Sequence, residues 1–212
     1  MEERIVKLHG QNTTVPLKVV PGHFATNHSH VNYYIDMTTL KTRLSEAGEI
    51  AKALAGKYIM GTVVDTIVCL DGTQVIGTLL AEELTKSGLH SMNAHQTIYV
   101  VTPEYNGNSQ LMFRDNLQPM LEGKHVLILM ASVTTGITIR KSAECVSYYG
   151  GLVAGVAAIF SAVPDVEGYE VHAVFHEADV PGYESCAPQD CPMCKAGHRI
   201  EALVNSFGYS KL

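Results

Sequence analysis

The stretch Val126-Leu-Ile-Leu-Met-Ala-Ser-Val-Thr-Thr-Gly-Ile-Thr138 decides the predicted fold of this 212-residue chain. Residues 126–130 are apolar without alternation, which is typical of a strand buried on both faces of a parallel sheet. Residues 137–149 carry apolar side chains at helical spacing, so a short turn joins a strand to a helix N-terminus. Free amides and the helix dipole at such a terminus suit an anion, although an ordinary capped helix has the same pattern.

Strands and helices alternate on both sides of this stretch. We predict helices over residues 42–58, 73–87 and 137–149, and further strands over residues 65–70, 97–101, 152–162 and 171–175. This alternation indicates an α/β fold with a doubly wound, mainly parallel sheet. Ligands bind such sheets at the carboxyl ends of the strands, so the loops after residues 70 and 130 are candidate ligand loops.

The N-terminal part of the chain has a different, strand-like character. We predict that residues 1–40 form a small subdomain, called the hood, on an α/β core of residues 41–212.

Composition and charge exclude several classes of protein. With 15 basic and 21 acidic residues the net charge is −6, which argues against a sequence-independent nucleic-acid binder. Residues 145–164 lack charged side chains, but Gly150-Gly151 divides them, so we expect a helix and a buried strand and no membrane span. The charged N-terminus resembles no secretory signal, and five cysteines are then expected as reduced thiols in the cytoplasm.

Three motifs together resemble a known family. The apolar strand followed by Thr134-Thr-Gly-Ile-Thr138 resembles the loop of type I phosphoribosyltransferases that binds 5-phosphoribosyl 1-pyrophosphate (PRPP). Gly22-His-Phe24, Ser29 and Tyr33-Tyr-Ile-Asp36 are similar to a segment of the orotate branch, and Cys191-Pro-Met-Cys194-Lys-Ala-Gly197 resembles the ending of some members. The motifs keep the family's order and spacing, and the resemblance covers most of residues 15–200.

The resemblance implies a set of site residues and ligands. PRPP would donate its phosphoribosyl group to a small nitrogenous base, orotate in this branch, with Mg²⁺ as cofactor and a homodimer as the assembly. The resemblance assigns the 5-phosphate to Ser132, Thr134, Thr135, Gly136, Ile137 and Thr138, the pyrophosphate loop to Asp71, Gly72 and Thr73, and the base pocket to Phe24, Tyr33 and Tyr34. The Asp71 carboxylate would either bind a metal or cap the following helix.

Several positions depart from the family pattern, and each departure removes charge. Met130 and Ala131 stand where the family has two carboxylates, which accept hydrogen bonds from the ribose and stabilise the positive charge that develops on it. Residues 102–108 contain no cation where the family has a mobile basic loop. Two functions therefore remain open: a phosphoribosyltransferase, or a binding protein for a phosphate ester that acts as a sensor or as a regulatory partner of another enzyme.

A cluster of potential metal ligands lies near the C-terminus. Cys186, Cys191, Cys194 and His198 offer thiolate and imidazole donors within thirteen residues, which suits a tetrahedral zinc site. The alternative is free thiols in a turn with His198 on the surface. The N-terminal histidines His23, His28 and His30 are interpreted as solvated loop residues, with a metal site or a contact to substrate as the alternatives.

Overall fold

The computed structural model describes residues 2–10, 13–86, 91–94, 96–108 and 110–212. The strands are β1 (Val6–Leu8), β2 (Leu17–Ala25), β3 (His30–Asp36), β4 (Thr66–Cys69), β5 (Tyr99–Val101), β6 (Glu104–Tyr105), β7 (Leu111–Met112), β8 (His125–Val133), β9 (Leu152–Ser161), β10 (Asp165–Val166), β11 (Tyr169–His176), β12 (Ser185–Cys186), β13 (Ala202–Asn205) and β14 (Gly208–Lys211). The α-helices are α1 (Thr38–Thr42), α2 (Leu44–Tyr58), α3 (Gln74–Thr85), α4 (Ile137–Tyr148) and α5 (Pro192–Lys195).

The core of the molecule is a six-stranded sheet with the order β10-β11-β9-β8-β4-β5. All neighbouring strands in it are parallel except the short β10, which pairs antiparallel with β11. The predicted α/β class with a mainly parallel sheet is therefore confirmed.

The central strand β8 explains the continuous apolar run. Its alternate side chains Leu127, Leu129 and Ala131 enter a core that also contains the buried faces of α2 and α3. Val126, Ile128 and Met130 enter a second core, which is closed by α4. Because both faces of the strand are covered, apolar residues occupy every position and the usual alternation of a half-exposed strand is lost.

The helix predictions differ from the structure mainly at their ends. The predicted helix over residues 42–58 begins at Leu44, because Arg43 is extended and separates it from α1. The predicted helix over 73–87 runs from Gln74 to Thr85, and residue 87 lies outside the described residues. Residues 145–164 divide into the end of α4 and the strand β9, as expected. Within the described parts of the chain, no helix is long and apolar enough to cross a bilayer.

The hood is a second six-stranded sheet made from both parts of the chain. Its strand order is β12-β3-β2-β13-β14, and β1 pairs with the other end of β2. β2 and β3 form an antiparallel pair, whereas β13 pairs parallel with β2 through Ala202 and Phe24. The hood predicted over residues 1–40 therefore also includes strands from residues 185–211, which the prediction assigned to the core.

One buried hydroxyl connects α2 to the core sheet and gives a test of this packing. Tyr58 is 2% exposed, and its hydroxyl donates to the Val156 carbonyl of β9 at 2.9 Å. Tyr58→Phe should lower the free energy of unfolding by about 1 to 3 kcal/mol, because a buried carbonyl loses its donor. Urea denaturation measures the change. Tyr148→Phe is the control, since Tyr148 is 82% exposed, and an equal loss in both variants would contradict this role.

Candidate functional site

A cavity of about 440 Å³ lies between the hood and the carboxyl ends of the core strands. Its volume is in the range of small-molecule sites, ~300–1,000 Å³. The core contributes the turns after β4 and β8, the hood contributes β3 and the β13–β14 turn, and the hairpin β6–β7 covers one side. Among the lining residues are Tyr33, Tyr34, Asp71, Tyr105, Ser132, Thr134, Ile137, Thr138, Lys141, Tyr183, Ser206 and Phe207.

The turn between β8 and α4 presents unpaired amides. Among the described residues, none accepts a hydrogen bond from the backbone N–H groups of residues 134–139. Gly136 is the N-cap of α4, and no side chain caps this helix. Unpaired amides at a helix N-terminus are the kind of donors that suit an anion, and the predicted phosphate site at this turn stays a prediction.

The six residues predicted to bind phosphate divide between two cavities. Ser132, Thr134, Ile137 and Thr138 line the main cavity. Thr135 and Gly136 line a shallower neighbouring cavity, which Ile137 also borders and which includes Val166 and Arg140. The turn thus lies at the boundary, with most of its side chains on the side of the main cavity.

Gly136 is required by the geometry of this turn. Its φ angle is +77°, and a Cβ atom there would lie 2.5 Å from a methyl carbon of Val166. Both the left-handed backbone and the close packing of β10 exclude a larger residue. Val166 therefore packs directly against this turn.

Met130 and Ala131, the two positions at which the resemblance predicts carboxylates, are core residues. Met130 is 2% exposed, Ala131 is fully buried, and neither lines the cavity. Asp71 is the one carboxylate among the described lining residues.

Asp71 is held by contacts to the hood. Its carboxylate accepts a hydrogen bond from the Ser206 hydroxyl at 3.1 Å, and its carbonyl accepts from the buried ammonium group of Lys41 at 2.9 Å. Lys41 also donates to the Ser206 carbonyl, so one lysine links the turn after β4 to the β13–β14 turn. Burial raises the pKa of the Asp71 carboxyl, because Ser206, the Ala131 amide and Lys41 offset the lost solvation only in part.

Asp71 does not cap α3, which corrects the cap prediction. The N-cap of α3 is Thr73, and no side chain accepts a hydrogen bond from the helix amides there. The amides of Asp71 and Gly72 have no partner among the described residues, and Gly72 has a φ angle of +76°. The turn after β4 therefore offers a second set of amides beside the first.

Two predicted site residues belong to the protein core. Thr73 is fully buried, and its hydroxyl donates to the Leu70 carbonyl at 2.7 Å. Phe24 is fully buried and packs edge-on against Tyr34, with ring centroids 6.3 Å apart. Neither residue lines the cavity, contrary to the prediction, whereas Tyr33 and Tyr34 do.

The cavity contains a cation, Lys141, that the sequence did not predict as a site residue. Lys141 lines the cavity and is the only lysine or arginine among its described lining residues. It lies one helical turn after Ile137, so helical spacing alone could have placed it beside the turn between β8 and α4. Tyr105, Ser206 and Phe207 were also missed, because only the tertiary structure brings the β6–β7 hairpin and the C-terminal strands to this edge. Arg114, near the hairpin, is paired with Glu104 at 2.7 Å.

The metal-ligand cluster differs from the predicted one. The donor atoms of His23, His30, Cys191 and Cys194 lie within 4.8 Å of one another. Cys186 and His198, which the prediction included, are not in this group. His23 and His30 are buried, contrary to the interpretation as solvated loop residues, and His28 is exposed as expected.

The raised pKa of Asp71 predicts how stability depends on pH. The folded state favours the neutral carboxyl, so this group stabilises the fold below its usual pKa of 3.8. That stabilisation is lost as pH rises through the raised pKa of the folded state. Asp71→Asn should therefore gain stability relative to wild type with rising pH, as measured by thermal unfolding in a pH series. The exposed Asp115→Asn is the control, and a pH-independent gap for Asp71→Asn would contradict the assignment.

A scan against models of known protein families finds no match. Among curated proteins, the chain is 27% identical over 195 residues to the orotate phosphoribosyltransferase of Wolinella succinogenes, with 85% of this chain and 88% of the relative covered. It is 26% identical over 184 residues to the orotate phosphoribosyltransferase of Pelotomaculum thermopropionicum, with 84% and 86% covered.

Two solved structures match this chain in fold. The orotate phosphoribosyltransferase of Mycobacterium tuberculosis in complex with Fe(III) dicitrate matches with a TM-score of 0.50 and 19% identity, over 78% of this chain and 93% of that one. The UMP synthase of Leishmania donovani matches with a TM-score of 0.53 and 18% identity, over 76% of this chain and 34% of that one. The chain therefore has the type I phosphoribosyltransferase fold and is a distant sequence relative of orotate phosphoribosyltransferases.

Proposed function

We propose that the protein binds PRPP and transfers its phosphoribosyl group to a small nitrogenous base, with release of pyrophosphate. Orotate is the proposed base, because both curated relatives are named orotate phosphoribosyltransferases. The observation that carries the proposal is the row of unpaired amides over residues 134–139, at the edge of a cavity of ligand size.

The 5-phosphate is the group that suits this row of amides. A phosphate monoester accepts several hydrogen bonds at once, and the dipole of α4 favours its negative charge. The hydroxyls of Thr134 and Thr138 line the same cavity and add neutral donors. Lys141 contributes a positive charge one turn further along α4.

The turn after β4 suits the pyrophosphate of PRPP. Because β4 pairs parallel with β8, this turn lies beside the turn between β8 and α4. The free amides of Asp71 and Gly72 can donate to phosphate oxygens, and the left-handed Gly72 permits a close approach of the backbone. Tyr33 and Tyr34 line the hood side of the cavity, where a planar base can pack against aromatic rings.

The transfer breaks the bond between the ribose C1 and pyrophosphate and forms a bond from C1 to a ring nitrogen of the base. Positive charge develops on the sugar during this exchange, and catalysis by this chain rests on holding the two reactants in line. Apolar Met130 and Ala131 supply no carboxylate at the ribose. This observation favours the second candidate, a phosphate-ester-binding protein that acts as sensor or regulatory partner, and the assay below decides between the two.

The residues of the cavity fit the expected Mg²⁺ poorly. Mg²⁺ in phosphate sites is held by one or two carboxylates together with phosphate oxygens. Asp71 is the single lining carboxylate in the described chain, and one of its oxygens already accepts a hydrogen bond from Ser206. We therefore assign no step to Mg²⁺ here.

A turnover assay tests the proposed reaction. Purified protein is incubated with PRPP and orotate, with and without Mg²⁺, and pyrophosphate release is followed. An enzyme of this kind should turn over at ~1–10³ per second. Calorimetry with PRPP and ribose 5-phosphate is carried out in parallel. Binding without turnover supports the binding-protein candidate, and absence of both binding and turnover overturns the proposal.

Arg140 and Lys141 are adjacent cations on α4, so substituting each in turn compares a cation that lines the main cavity with one that does not. Lys141 lines the main cavity, whereas Arg140 lines the shallow one, and both side chains are exposed. Lys141→Met should weaken binding of ribose 5-phosphate about tenfold, or ~1.4 kcal/mol, because a cation beside the phosphate is lost. Arg140→Met should leave the affinity unchanged. Calorimetry measures both, and equal losses would place the phosphate elsewhere.

A further inference from the structure

Four potential metal ligands from distant parts of the chain lie close together in the hood. His23 lies in β2, His30 begins β3, Cys191 precedes α5, and Cys194 lies in α5. His23, His30 and Cys191 are buried, and Cys194 is exposed. A donor atom of each residue points to a common centre, since all four atoms lie within 4.8 Å of one another.

The distances between these atoms match a tetrahedral site. His23 Nε2 lies 3.3 Å from His30 Nδ1, and Cys194 Sγ lies 3.6 Å from His23 Nε2 and 3.3 Å from His30 Nδ1. Cys191 Sγ lies 3.4 Å from His23 Nε2. A regular tetrahedron with Zn–N of about 2.0–2.1 Å and Zn–S of about 2.3 Å has N···N edges of about 3.3 Å and N···S edges of about 3.6 Å.

The surroundings of the cluster orient two of the ligands. His23 Nδ1 lies 3.1 Å from the His198 carbonyl oxygen, to which it can only donate. The neutral His23 ring therefore carries its lone pair on Nε2, which faces the centre. A backbone carbonyl on the outer nitrogen is the usual partner of a metal-binding histidine. Cys191 Sγ also accepts the backbone N–H of Cys194, which holds the two sulfurs on one side.

We propose that His23, His30, Cys191 and Cys194 bind one Zn²⁺ ion as a structural site. Two thiolates and two imidazoles in tetrahedral arrangement are the donor set that zinc prefers. All four positions are taken by protein atoms, so the ion leaves no open coordination position for catalysis. The ion connects the β2–β3 hairpin to the segment between β12 and β13, and so joins the two parts of the chain that build the hood.

Metal analysis of the purified full-length protein tests the site. After dialysis, plasma mass spectrometry should find one zinc ion per chain. His30→Gln and Cys194→Ser should each lose the ion and lower the Tm, and chelation should lower the wild-type Tm to a similar value. Cys186→Ser and His198→Gln test the ligand set suggested by the sequence; neither residue belongs to the group of four, and both variants should keep the full zinc content.

Cobalt substitution gives a readout that does not depend on the folding of the variants. Wild-type protein loaded with Co²⁺ should show the visible absorption of a tetrahedral ion together with thiolate-to-cobalt charge-transfer bands. Zinc content far below one per chain without these bands would overturn the proposal, as would a Cys191–Cys194 disulfide in freshly purified protein. Loss of zinc from Cys186→Ser or His198→Gln alone would move the site to the set suggested by the sequence. Because none of these measurements uses PRPP, they stand apart from the proposed transfer activity.

Discussion

Parallel pairing of β4 with β8 is the constraint on which the site depends. The register aligns Val68 with Ile128 and Cys69 with Leu129, so both strands end at the same edge of the sheet. Each strand is followed by a turn and then by a helix, α3 or α4, and residues of both turns line the cavity. The cavity and its two rows of free amides are therefore products of strand order, and the hood covers an edge that already exists.

The core was predictable from local sequence, whereas the C-terminal strands of the hood were not. A strand buried on both faces, such as β8, has an apolar residue at every position, and the helices beside it have a clear period. Strands β12, β13 and β14 contain two to four residues each, too few to show a pattern. β12 pairs with β3 and β13 pairs with β2, and each of these partners lies more than 150 residues away, as in the pairing of Ala202 with Phe24. No local signal reports such a contact.

The same limit explains the individual errors at the site. Phe24 and Thr73 stand at positions that a motif can match, but only the packing decides that their side chains enter the core. His198 has the right residue type for a metal ligand, yet the structure uses its carbonyl to orient His23. The strand–turn–helix backbone of residues 126–148 was predictable, because a strand buried on both faces and an amphipathic helix each have a local sequence pattern.

The composition of the hood has a consequence for the order of folding. The six strands of the core sheet lie within residues 66–176, so they leave the ribosome before β13 does. β2 and β3 are synthesised first, but β2 gains its parallel neighbour only when residues 202–205 appear. Until β13 has been synthesised, the edge of β2 that pairs with it has unpaired backbone N–H and C=O groups. Unpaired strand edges of this kind can pair with other chains and cause aggregation. Pairing of β13 with β2 thus covers an edge that could otherwise promote aggregation during synthesis.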